Sequence, residues 1–222
     1  MSSYIKKDYA MTVERTTTRR ERRIAARQKR ILEAAGAVFI EKGYERATTR
    51  EIADAADVSE GTLYNYFASK RDLLLGLCQE FAEETVETIV SIQAESAEDI
   101  LRQVLANRFQ HVRCRRLLTL ILHQSQLDPE VRHYYVEQAL ARIISEAEQQ
   151  IQAMTADGLT RPVNPAIAAR TLIGAMMGFA ILFDLKDETI ETISSEALAG
   201  EVTDIFLNGL RVRPTGERGD TP

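Results

Sequence analysis

The sequence predicts an all-α protein, with a small helix-turn-helix unit ahead of a larger helical part. Three observations carry this expectation. No stretch alternates apolar and polar residues as a half-buried strand must. Helix-start signals recur along the chain: Thr48 with Glu51, Ser69 with Asp72, Asp128-Pro129 and Asn164-Pro165. Two of the helices they open or border are short and meet at a tight turn, Asp57-Val58.

Taken in order, residues 1–20 lack a clean period and read as a disordered basic arm. From Glu21 a helical stripe runs through Ile24, Ile31, Ala35, Val38 and Phe39 and stops at Gly43. Arginines crowd its start, at 19, 20, 22, 23, 27 and 30. The Thr48–Glu51 box opens a short helix with Ile52, Ala53 and Ala56 inward. Ser59 caps a second short helix that is expected to end near Ala68, and Ser69 begins a long one through Leu73, Leu77, Phe81 and Val86. These make a helix-turn-helix domain over 21–75. A second helical domain over 76–210 follows, with helices opening near Ser96, at Pro129, at Pro165 and at Ser195. The end, 211–222, reads as a disordered tail.

Composition narrows the function. The chain has 222 residues, 45% apolar and 27% charged, an ordinary globular mix. Its two cysteines lack metal or disulfide spacing and suit a reducing cytoplasm. The charged N-terminus does not look like a signal peptide. The longest uncharged apolar run, Thr171 to Phe183, is 13 residues. A membrane span needs about 20, so the run reads as a buried helix and no membrane partner is expected. The net charge of −5 is unevenly spread. Residues 1–72 carry 15 Lys and Arg against 11 Asp and Glu, and the rest 13 against 22. That suggests an anionic partner for the first part, or simply solvated faces.

The stretch Val58 to Leu73, VSEGTLYNYFASKRDL, decides between them. At about 100° per residue, Leu63 and Phe67 share the core side. Asn65 and Gly61 point the other way, flanked by Thr62 and Tyr66 on one side and by Tyr64 and Glu60 on the other. An asparagine amide can pair with adenine, and glycine permits close backbone approach. The threonine and tyrosine hydroxyls suit phosphate oxygens. Lys70 and the free N–H groups after Ser69 suit another phosphate.

Residues 27–75 resemble the DNA-binding domain of the tetracycline-repressor (TetR) family. The matching pieces are Ala34 to Gly43, Thr48 to Ala53, Val58-Ser59, Gly61 to Tyr64, Tyr66-Phe67 and Ser69-Lys70. The resemblance implies a homodimer on a palindromic double-stranded DNA operator, usually a repressor. It also implies a C-terminal domain for dimerisation and, often, for a small-molecule inducer. By motif match, Thr49, Tyr64, Tyr66 and Lys70 would contact phosphates. Arg50, Glu60, Gly61, Thr62 and Asn65 would sit at or near bases.

Other chemistry is weaker. His111, His123 and His133 match no metal motif, and no catalytic constellation stands out, so neither an enzyme nor a cofactor is expected. Tyr134, Tyr135, Met176, Phe179 and Phe183 are candidates to line a ligand pocket, or are plain core. Arg170 could meet an acidic ligand or a surface carboxylate. The last two long helices, with Gly174, Gly178, Ile193, Leu198, Val202, Ile205 and Phe206, are expected to form the dimer interface. The alternative function is a DNA-bound structural or partner-binding protein with no small ligand. An enclosed pocket of a few hundred Å³ would favour the inducer reading, a filled core the alternative.

Overall fold

A computed structural model of the chain describes residues 18–92 and 94–209. The expected arm up to residue 17 and the whole expected tail, 211–222, lie outside the described residues. Among those described, every regular element is helical. The chain divides into two compact units between Leu74 and Leu75.

The first unit begins with α1, Arg19–Lys42, two residues earlier than expected. The reason is a capping box in TRRE: the Thr18 side chain accepts from the Glu21 N–H, and the Glu21 carboxylate accepts from the Thr18 N–H at 2.7 Å. Residues 18–20 therefore belong to a helix start and not to an arm. Ile24 also departs from the expected stripe. It is exposed, and burial on α1 begins only at Ile31, so the arginine-rich opening turns stand clear of the core. Gly43 ends α1 at φ +82°, a conformation that favours glycine.

Two short helices follow, α2 (Thr49–Ala55) and α3 (Glu60–Tyr64). The Thr48–Glu51 box caps α2, and Ser59 accepts from the Thr62 N–H to cap α3. The helix α3 is shorter than the sequence suggests. Asn65 still holds a right-handed conformation, but the chain then turns, with the Tyr66 and Phe67 N–H groups both donating to the Leu63 carbonyl. Between the helices, Asp57 takes φ +51°. Arg30 of α1 braces this turn, donating to the Ala56 and Asp57 carbonyls and pairing with the Asp57 carboxylate at 3.0 Å. Ile31, Phe39, Ile52, Leu63, Leu73 and Leu74 are fully buried in the unit. Each such side chain stabilises by roughly 1.5–3 kcal/mol, enough to hold helices too short to persist alone.

The next helix, α4 (Lys70–Ser91), runs across the division at Leu74. The second unit continues with α5 (Ala97–Gln110), α6 (Val112–Leu127), α7 (Pro129–Tyr134), a π-helical segment over Tyr135–Leu140, α8 (Ala141–Ala156), α9 (Pro165–Asp184), α10 (Glu188–Glu191) and α11 (Ser195–Asn208). The sequence predicts one helix from Pro129 to Gly158. The π-helical segment interrupts it, widening the spiral so that the Ala141 N–H reaches the Val136 carbonyl. Asp128 and Asn164 cap α7 and α9, each with proline at the first position, as expected.

Leu198, Ala199 and Val202 of α11 pack on Leu101, Leu105 and Phe109 of α5. Leu198 and Val202 thus serve the subunit core and are not free for a partner, a correction to the expected interface. Ile205 remains exposed. The apolar helix α9 buries only Ala169 and Ala180, so the expectation of a buried helix is not met within the single chain. By length and composition α9 is long and apolar enough to cross a membrane. A β-carbon added at Gly174 or Gly178 would meet nothing within 4 Å.

The left-handed turn gives a direct test. Asp57→Val should lower the unfolding free energy by about 1–2 kcal/mol, since a β-branched residue resists positive φ. Asp57→Asn should cost clearly less. Denaturant unfolding of both variants checks the difference.

Candidate functional site

The residues predicted for one surface strip do come together on α2, α3 and the turn after them. Arg50, Glu60, Gly61, Tyr64 and Asn65 are exposed, while Thr49, Thr62 and Tyr66 are half-buried. Leu63 beneath them is completely buried and anchors α3 to the core. The strip is internally bonded. The Thr49 hydroxyl donates to Glu60 Oε1 at 2.6 Å and lies 3.1 Å from the Tyr64 hydroxyl, linking α2 to α3. The Thr62 hydroxyl lies 2.8 Å from that of Ser59. Glu60 thereby ties the start of α3 to Thr49 of α2.

Lys70 is placed differently from the other strip residues. Its ammonium donates to the carbonyls of Tyr44, Glu45 and Ala47 at 2.8, 3.1 and 3.2 Å and stands 4.5 Å from the Tyr44 ring centre. All three donors of the ammonium are so engaged. Lys70 ties the start of α4 to the loop between α1 and α2. Glu51 braces the same loop from the other side. Its hydrogen bond to Lys42 and those from Thr48 pull its carboxyl down to about 2.

The second unit contains a cavity of about 100 Å³. Its wall draws on α4 (Phe81, Thr85, Ile89), α5 (Val104, Arg108), the π-helical segment (Tyr135, Leu140), α8 (Ile143, Met154) and α9 (Met176, Met177). Of the residues predicted to line a pocket, Tyr135 and Met176 do. Tyr134 instead reaches Gln79 at 3.4 Å. Phe179 and Phe183 pack against Phe109, and Phe183 also lies under Arg115. Arg170 donates to Glu148 at 2.6 Å, so the surface-carboxylate reading applies to it. Arg108, also in the wall, is not among the residues predicted for the pocket. The signal was available: Leu101, Val104, Leu105, Arg108 and Phe109 recur at helical spacing, one cation on an apolar face. Burial pushes the Cys78 thiol up to about 12. No group of metal-ligating side chains forms among the described residues.

A three-helix unit that presents hydroxyls, an amide and a guanidinium on two short helices and the turn after them, joined to a larger helical unit, defines a helix-turn-helix DNA-binding regulator. Residues 31–77 match the family described as bacterial regulatory proteins, tetR family, and residues 98–209 match the C-terminal domain described as that of AefR-like transcriptional repressors. The chain belongs to the TetR family of transcriptional regulators. It is 29% identical over 126 residues to the transcriptional repressor AcnR of Corynebacterium diphtheriae, a match covering 56% of this chain and 62% of that protein. Among solved structures it resembles the fatty acid degradation regulator FadR of Bacillus halodurans, at 27% identity and TM-score 0.71, over 84% of this chain and 97% of that one. It shares the fold of Bacillus subtilis FadR, solved with stearoyl-CoA, at 22% identity and TM-score 0.69, over 82% and 99%.

The Glu51 carboxylate predicts acid sensitivity with a definite sign. Its pKa falls from an ordinary 4.5 to about 2 on folding. The stability it contributes is therefore present above 4.5 and lost as pH drops toward 2. Glu51→Gln should show a shallower loss of thermal stability across that window than the parent chain, measured by circular dichroism.

Proposed function

We propose that the protein is a cytoplasmic, homodimeric repressor that leaves a palindromic operator when a small molecule enters the C-terminal cavity. The observation that carries the ligand-responsive part is the cavity itself. It is smaller than the roughly 300–1,000 Å³ of a drug-sized site, yet larger than the ~10–15 Å³ that one water requires. Methionines 154, 176 and 177 in its wall can repack around a guest. A completely filled core would have favoured a DNA-bound protein without a ligand. The helix α4 offers a route for coupling, because Phe81, Thr85 and Ile89 in the wall continue the helix that begins at Lys70. The ligand need only prefer the state that does not bind DNA; a tenfold preference is about 1.4 kcal/mol.

In this reading Thr49, Tyr64 and Tyr66 meet phosphates, and Arg50, Gly61, Thr62 and Asn65 face base edges, with Glu60 holding Thr49 in place. Lys70 acts first as the clamp of the 44–47 loop. Dimerisation uses the exposed apolar face of α9, with Ile167 and Ile181, and Ile205 of α11. A soluble chain that exposes such a helix gains by covering it with a second copy.

DNA selection with the purified chain, followed by a screen for compounds that release the selected duplex, tests the function as a whole. Sedimentation at micromolar concentration should give a dimer; a monomer would refute that part. Tyr64→Phe should weaken cognate and scrambled duplexes about equally, while Asn65→Ala should cost about 1–3 kcal/mol mainly on cognate DNA. Lys70→Met should lower the melting temperature and leave the salt slope of binding unchanged. A slope shallower by about one per lost contact would instead make Lys70 a phosphate ligand.

A further inference from the structure

Arg108 lies in the wall of the cavity with only 8% of its surface exposed. Its guanidinium carbon stands 5.3 Å from the centre of the Phe81 ring. Among the described residues no carboxylate comes within ion-pair distance of it. The Cys114 side chain, within hydrogen-bond reach, and Glu84 both act on it, but the Glu84 carboxylate is already 3.9 Å from Arg113 and accepts from the Cys114 thiol at 3.6 Å. A guanidinium carries five donors, and a buried cation is costly unless paired.

A second group points the same way. The Tyr135 hydroxyl, on the π-helical segment, lines this cavity, is 2% exposed and has no hydrogen-bond partner among the described residues. Buried polar groups in native proteins nearly always find partners. Most of the remaining wall is apolar, including Val104, Ile143 and Met176.

An apolar chamber with an under-paired cation and an unused hydroxyl is complementary to a molecule with an apolar body and an anionic head. We infer that the cavity takes a small carboxylic acid, its carboxylate paired with Arg108 and accepting from the Tyr135 hydroxyl, its body against the aliphatic wall. A planar guanidinium matches a carboxylate with two parallel bonds. The inference rests on the reading of this cavity as the effector site and names the class of effector.

The test is calorimetric titration of the full-length protein with hexanoate, octanoate and benzoate, each beside its alcohol: hexanol, octanol and benzyl alcohol. At least one acid should bind about tenfold or more tightly than its alcohol, as a charge-assisted contact implies. Arg108→Met should remove that advantage of acid over alcohol, with Arg108→Lys retaining part of it. Should Arg108→Met not fold, Tyr135→Phe carries the test, with an expected severalfold loss for the acid alone. Equal binding of acid and alcohol, no binding of any acid, or a folded Arg108→Met that binds acids as the parent does would overturn the inference. Operator binding measured in parallel separates the two readings. Alcohols that release DNA where acids do not would sink the anion and keep the regulator. Acids that bind through Arg108 and leave DNA bound would do the reverse.

Discussion

The ammonium of Lys70, driven into the carbonyls of Tyr44, Glu45 and Ala47, is the contact on which the first unit turns. A loop that leaves a helix at Gly43 and enters another at Thr49 has carbonyls with no helical partner. One cation gathers three of them and fixes where α4 begins. Arg30 does the same for the turn at Ala56 and Asp57. Helices of seven and five residues cannot hold their own direction, and these two braces, with Leu63 and Ile52 beneath, supply it. The strip of hydroxyls and amide is therefore presented by a scaffold and not by the short helices themselves.

Lys70 and Arg108 form a useful contrast. Both are cations drawn toward the interior, and elementary solvation demands partners for each. Lys70 meets a full set of carbonyls, and its charge is spent on architecture. Arg108 meets a ring face, a thiol and a carboxylate already shared with Arg113. The unspent hydrogen-bonding capacity lies against an apolar void whose wall also holds a tyrosine hydroxyl in the same condition. The π-helical segment is what brings that tyrosine round, since it puts both Tyr135 and Leu140 in the wall.

The helix α9 obeys a different constraint. Its inner side closes the cavity and meets α8, while Ile167 and Ile181 stay exposed. Its two glycines lie open. One helix thus lines the candidate ligand site and exposes Ile167 and Ile181, the face proposed for a second copy, so that a guest in the cavity and a partner on that face would act on the same element.

By itself the sequence determined the helical class, most helix starts and which residues share the exposed strip on α2 and α3. Those follow from local rules: a cap sits three residues from its partner, apolar periods repeat along the chain, and Glu60 to Asn65 lie within about two helical turns of each other. Even the start at Thr18 was legible in TRRE. Only the tertiary structure decided what Lys70 grips, that Arg170 has a carboxylate while Arg108 has none to itself, and that Leu198 and Val202 face α5 and not a partner. These outcomes depend on residues far apart in the chain. Whether a cation inside the fold is satisfied is set by what packing brings to it from other helices, and no local pattern records that.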